Sequence, residues 1–131
     1  MEFRELTIED YSRLIPFWKD NYFVNEHDTK ERLKLFLEKN PGLSVLAEDD
    51  GKIAATALGS YDGRRGYLQK VVVDKKFRRH GLGLELVKKV LDKLKDVGVT
   101  YIPLSVEEDL VEFYEKCGFK KTKQVPMNID F

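Results

Sequence analysis

The sequence predicts a single α/β domain over residues 1–131, with a mixed, mostly antiparallel central sheet and helices on both faces. Three observations point there. Short apolar runs joined by Asp-Gly turns fill the middle of the chain, two amphipathic helical patterns precede them, and a valine-rich run is followed by a glycine-containing turn and a long helix. The resulting order, βααβββαβαβ with a further edge strand at the end, lacks the regular βαβ alternation of a doubly wound sheet.

Each element has a local reason. Residues 3–6 alternate apolar and charged side chains as a half-buried strand does, and Thr7 with Asp10 resembles a capping box opening a helix that aligns Leu14, Phe17 and Trp18. Asp28 with Glu31 repeats the cap signature before Leu33, Phe36 and Leu37, and Asn40-Pro41-Gly42 stops that second helix. Residues 44–48 and 53–58 flank Asp49-Asp50-Gly51-Lys52, where Asp-Gly supplies the positive φ of a tight hairpin. A second turn around Asp62-Gly63 precedes residues 67–73, whose Val71-Val72-Val73 fits a strand covered on both faces.

Leu86, Val87, Val90, Leu91 and Leu94 then recur at helical spacing up to a left-handed cap at Gly98. Residues 101–106 read as a strand, 109–116 as a short helix closed by Gly118, 119–125 as a strand and 127–131 as an edge strand.

Composition narrows the functional classes. Lys plus Arg balances Asp plus Glu at 23 each, so no global positive field favours nucleic acid, and any anion site must be local. The single Cys117 and two histidines offer no metal-ligand spacing. No apolar run is long enough for a membrane span and residues 1–5 lack a signal-peptide pattern, so the expected location is cytoplasmic.

The segment Arg78-Arg79-His80-Gly81-Leu82-Gly83 joins the valine strand to the long helix. A helix start exposes unpaired N–H groups and a positive dipole end, glycines allow close approach of an anion, and the basic side chains add charge. Two glycines also suit a plain tight turn with solvated arginines. Neither a phosphate-binding Gly-Lys-Ser/Thr loop nor a third glycine at position 86, which is Leu, is present.

Arg78-x-x-Gly81-x-Gly83 after a valine-rich strand resembles the coenzyme-A-binding signature of GNAT N-acetyltransferases, and Phe113-Tyr114-Glu115-Lys116-Cys117-Gly118-Phe119 is similar to that family's second motif. Tyr61-Asp62-Gly63-Arg64-Arg65-Gly66 also looks like the hairpin of a subgroup of small single-domain members. The resemblance implies a cosubstrate, acetyl-CoA, and no metal. Its pantetheine arm would pair with Val71, Val72 and Val73, and its diphosphate would meet Arg78, Arg79, His80, Gly81, Leu82, Gly83 and Leu84. Tyr114 would be the catalytic acid for the departing thiolate, and the acceptor would be a primary amine, as in a small amine, an amino acid or a protein N-terminus.

Several features stand apart from the family pattern or leave a choice open. The strand offers Tyr67, Gln69 and Lys70 where many members carry a glutamate base, and Glu107 stands where an asparagine is common. A binding module without turnover is therefore the competing class. Tyr22, Phe23, Asn25, Glu26 and Asp28 could line an entrance for a cationic amine, and Arg64 and Arg65 could attract a carboxylate. Two copies could pair as a homodimer through an edge strand or a helix.

Overall fold

A computed structural model describes residues 1–131. Four strands, β1 (Glu2–Glu5), β2 (Val45–Asp49), β3 (Lys52–Tyr61) and β4 (Gly66–Val73), form one antiparallel sheet in chain order. The helices are α1 (Tyr11–Asn21), α2 (Lys30–Lys39), α3 (Leu82–Asp96) and α4 (Val111–Lys116). None is long and apolar enough to cross a membrane.

The two faces of the sheet bury separate cores. One joins Val45, Ala47, Ala55, Ala57 and Leu68 to Leu86, Val87, Val90 and Leu94 of α3, with Tyr114 and Cys117 at its margin. The other joins Leu46, Leu58 and Val72 to Leu14, Phe17 and Trp18 of α1 and Leu33 of α2. The split follows the side-chain alternation of the strands. It yields the α/β class with helices on both faces that the apolar pattern predicts.

Local chemistry sets the element ends. The Thr7 N–H donates to Asp10 Oδ2 at 2.9 Å, so Asp10 closes the turn before α1. Burial alone would raise the Asp10 carboxyl, but hydrogen bonds from Arg4, the Thr7 amide and Arg13 hold it below its usual range. The cap of α2 is Thr29, whose hydroxyl accepts from the Arg32 N–H at 3.3 Å, and not Asp28 as its sequence position implies. Asp28 instead closes a preceding 3-10 turn (Glu26–Asp28) by accepting from the Asn25 N–H. The β2–β3 hairpin turns on Asp50 (φ 51°) and Gly51 (φ 75°), and Gly98 (φ 105°) ends the last turn of α3.

The strands expected after α3 do not form. Residues 101–106, 119–125 and 127–131 run without regular pairing, and the single backbone hydrogen bond to the sheet is Gly66 N–H to Tyr101 O at 2.9 Å. Extended propensity makes a strand only where a partner backbone lies alongside, and no segment of the chain occupies that place. The sheet is thus antiparallel throughout, without the parallel pair that would make it mixed, and the outer edge of β4 is open beyond Gly66.

That edge carries a bulge. Thr56 pairs with Val72 and Leu58 with Gln69, so Lys70 and Val71 together face Ala57, and Lys70 adopts φ 49°. A buried chain of hydrogen bonds fixes it. Trp18 Nε1 donates to Thr56 Oγ1 at 3.0 Å, and Thr56 Oγ1 donates to Lys70 O at 2.9 Å. Replacing Thr56 by Val preserves the shape and leaves both the indole N–H and the Lys70 carbonyl unpaired. The expected cost is about 1–3 kcal/mol, seen as a lower urea midpoint with an unchanged slope.

Candidate functional site

The turn between β4 and α3 is longer than a direct strand-to-helix junction. A 3-10 turn (Lys75–Phe77), capped by Asp74 Oδ1 accepting from the Lys76 N–H at 2.9 Å, intervenes before Arg78. Arg79 (φ 68°) and Gly81 (φ 80°) then turn the backbone through left-handed conformations into α3. A Cβ at Gly81 would meet nothing within 4 Å, so the glycine is required by its φ and not by lack of space.

The start of α3 leaves its own donors free. Glu85 N–H is the first to bond back, to Gly81 O at 3.0 Å, and no side chain caps the helix, so the amides of Leu82, Gly83 and Leu84 point out of the N-terminus without backbone acceptors. Gly83 itself is buried, and a Cβ there would press on Phe113 and Val73 at 3.2 Å. It lets α3 seat against α4 and the end of β4. That packing role is additional to the one its motif position implies.

The basic side chains divide. Arg78 Nε donates to Val73 O at 3.0 Å and its Nη2 to Asn21 O at 2.9 Å, binding the turn to the end of β4 and to the C-terminus of α1. Asn21 Oδ1 also accepts from the Lys75 N–H at 3.1 Å. Arg79 and His80 are exposed and immediately precede the helix start in the chain.

A cleft of about 490 Å³ runs along β4. Leu68, Gln69, Lys70 and Val71 line one side, Tyr114 and Glu107 another, and Tyr22, Phe23, Asn25, His27 and Asp28 the third. Val72 faces the opposite core and Val73 spends its carbonyl on Arg78, so of the three valines only Val71 reaches the cleft. Of the residues whose types suggest an acceptor entrance, Tyr22, Phe23, Asn25 and Asp28 are there and Glu26 is not. Arg64 and Arg65 lie outside it: both amides bond Asp62 Oδ1 at 2.7 Å, and the Arg65 guanidinium covers the Tyr101 ring. Those bonds, with one from the Tyr67 hydroxyl, hold the Asp62 carboxyl below its usual range and commit it to the hairpin.

Lys70 is the residue that sequence reasoning missed. Its Nζ lies 3.0 Å from Asp28 Oδ2, donates to Phe23 O at 2.8 Å and sits over the rings of Phe23 (4.4 Å), Trp18 (5.0 Å) and Tyr22 (5.5 Å). The side chains of Lys70 and Asp28 are only 10% and 11% exposed. A lysine on an edge strand ordinarily reads as a solvated charge, and only the bulge turns this one inward. Glu107 is then the one cleft carboxylate outside any ion pair.

Tyr114 is held edge-on between Phe113 (4.9 Å) and Phe119 (5.8 Å). Burial, with smaller contributions from Cys117 and Tyr22, pushes its hydroxyl up to about 12. Burial likewise pushes the Cys117 thiol up, against the pull of Lys88, which disfavours the thiolate a nucleophile would need. No group of three or more His, Cys, Asp or Glu side chains is placed to hold a metal ion.

The sequence pattern of the acetyltransferase (GNAT) family matches residues 3–119, and the chain belongs to that family. An acetyltransferase of Pectobacterium atrosepticum is 29% identical over 124 residues, covering 92% of this chain and 88% of its own. Glucosamine-6-phosphate N-acetyltransferase from Arabidopsis thaliana superposes with a TM-score of 0.76 at 28% identity, over 99% of this chain and 97% of that one. PaiA N-acetyltransferase from Thermoplasma acidophilum, solved in complex with coenzyme A, gives a TM-score of 0.81 at 19% identity, covering 95% and 92%. These likenesses make the protein an acetyltransferase of GNAT fold.

Two outcomes test the site as an arrangement. Asp28→Ala strands a nearly buried ammonium and should cost about 3 kcal/mol in denaturant unfolding, and Lys70→Met, which strands the equally buried Asp28 carboxylate, should cost about as much. Ultraviolet titration should find one tyrosine ionising near pH 12 and absent from Tyr114→Phe. An unfolded tyrosine ionises near 10, so the neutral Tyr114 contributes stability below pH ~10 that is lost as pH rises towards 12.

Proposed function

We propose that the protein is a single-domain, cytoplasmic N-acetyltransferase that moves an acetyl group from acetyl-CoA to a primary amine by direct attack. The observation that carries this reading is the continuity of one surface. The start of α3, with its open amides, packs through Gly83 against Val73 at the end of β4 and against Phe113 beside Tyr114, and Val71 and Tyr114 line the cleft along the bulged edge of β4. The family's fold supports a coenzyme donor, and the cationic form in which an amine arrives suits a cleft with aromatic walls and the Glu107 carboxylate.

The diphosphate rests on the amides of Leu82, Gly83 and Leu84, with Arg79 and His80 adding charge, because a helix start in the open favours an anion. The pantetheine arm pairs with the edge of β4 at Val71 in the manner of an added strand. A neutral amine attacks the thioester carbonyl, whose oxygen takes up negative charge and accepts a hydrogen bond from a backbone N–H at the bulge. The carbonyl then re-forms from the oxyanion as the C–S bond breaks and the thiolate departs, leaving the C–N bond of the amide. Glu107, directly or through a water, receives the proton that the amine must lose.

Tyr114 has a narrower part than its motif implies. A hydroxyl raised to about 12 is a weaker acid than a thiol, so full proton transfer to the thiolate runs uphill. Its contribution is a hydrogen bond to the sulfur as charge develops there.

A binder without turnover is the second reading, favoured by the absence of a carboxylate on β4, where Lys70 is held in an ion pair. Release of free thiol from acetyl-CoA across a panel of primary amines decides between them: release with at least one amine supports the enzyme, and binding without release to any supports the module. Gly81→Glu places a side chain at positive φ and a negative charge beside the open amides, and should weaken acetyl-CoA binding at least tenfold by calorimetry. Tyr114→Phe should bind the coenzyme normally and lower kcat by about 100-fold.

A further inference from the structure

Lys70 fills a place shaped for a free cation. Its ammonium lies among three aromatic rings, 4.4 Å from Phe23, 5.0 Å from Trp18 and 5.5 Å from Tyr22, with Asp28 Oδ2 at 3.0 Å and the Phe23 carbonyl accepting at 2.8 Å. Rings, a carboxylate and a carbonyl gathered around one cation are the chemistry that recognises an alkylammonium ligand. Here the ligand is tethered to the chain. Lys70 and Asp28 both line the cleft, so the cage opens into the volume where an acceptor amine has to sit.

The charges of the cleft then balance simply. Lys70 neutralises Asp28, and Glu107 is left as one unmatched negative charge. Burial and the Glu107 carboxylate together raise the Tyr22 hydroxyl, so that charge is felt at the aromatic wall. No arginine lines the cleft, and Lys70 is its one lysine. His27 accepts at Nδ1 from Arg32 Nη1 at 3.4 Å and turns Nε2 towards Glu26 Oε1 at 3.9 Å, so neither ring nitrogen is free for an anion. The rim is apolar and open: Tyr22, Phe23, Val106 and Leu110 are 54%, 46%, 36% and 41% exposed. Elsewhere between residues 2 and 124 only Leu35, Val97 and Tyr101 are comparably bare. Apolar surface gathered at one cleft marks a place that a ligand covers.

We propose, on the acetyl-transfer reading of this cleft, that the acceptor is a small amine with a single positive charge on an apolar body, and that Lys70 is the residue that limits it to one charge. The ammonium meets Glu107 and the body lies on Tyr22, Phe23 and Leu110. A second ammonium would need the Asp28 cage, which Lys70 occupies. A carboxylate or phosphate beside the amine would face Glu107 with no free cation to balance it. The bulge makes this possible, because only a residue at φ 49° on β4 turns its side chain into the cage.

Calorimetry, with and without coenzyme A, reads acceptor recognition without turnover. Phenethylamine should bind, whereas phenylalanine, which adds a carboxylate, and putrescine, which exchanges the apolar body for a second ammonium, should each bind more weakly by about tenfold or more. Lys70→Gly suits the positive φ and leaves out the equivalent of n-butylammonium. With sodium chloride matching the ionic strength, n-butylammonium chloride should raise the melting midpoint of this variant by several degrees more than that of the wild type. At least one of putrescine, cadaverine and hexamethylenediamine should bind Lys70→Gly about tenfold more tightly than the wild type. A variant that folds only in n-butylammonium gives the same answer. Failure of phenethylamine to bind, phenylalanine or putrescine bound as tightly as phenethylamine, or a Lys70→Gly variant that n-butylammonium does not stabilise would each overturn the inference. Phenethylamine bound without release of thiol from acetyl-CoA would instead overturn the enzyme and leave the recognition standing.

Discussion

The arrangement depends on one constraint, the irregular pairing of β4 with β3 at Lys70. Regular pairing through this stretch would send alternate side chains cleanly to the two faces and leave no local irregularity on the open edge. The bulge is sustained from below by the indole of Trp18 acting through Thr56, and from the side by Asp28 and three aromatic rings. Both supports come from outside the strand. The local conformation is thus imposed by α1 and the turn before α2, and the N-terminal third of the chain shapes the edge without belonging to the sheet's centre.

The beginning of α3 shows the same division of labour. Its open amides follow from helix geometry alone, but their orientation depends on how closely the helix end approaches Val73 and Phe113, which Gly83 permits. A motif glycine can therefore act through packing on one side and through its backbone on the other. Arg78 is similar: its charge lies close to the helix start, while its hydrogen bonds run to carbonyls at the ends of β4 and α1, where a cation complements the end of the α1 dipole.

Much of this was legible in the sequence. The Asp-Gly hairpins, the apolar stripe of α3 and the valine strand ahead of a glycine turn each express a local rule, and each appears where the rule places it. What escaped depends on contacts distant in the chain. Nothing near Lys70 signals a positive φ, because the cause lies in Trp18 and Asp28. Asp28 reads as a helix cap because it precedes Glu31 by three residues, but Thr29 follows it and takes the cap. The strands expected after α3 failed for a related reason: alternation identifies a segment fit for pairing and carries no information about which backbone it meets.

Asn21 has a position whose consequence reaches further than its size. Its main-chain carbonyl and side-chain oxygen both hold the turn that leads into α3, and the next residues, Tyr22 and Phe23, form a wall of the cleft. Movement of that wall strains two bonds to the turn, and movement of the turn pulls on the wall. Two ligands bound on either side would then report to each other through a single residue. Such communication is reciprocal by thermodynamic necessity: the factor by which the first alters affinity for the second equals the factor by which the second alters affinity for the first.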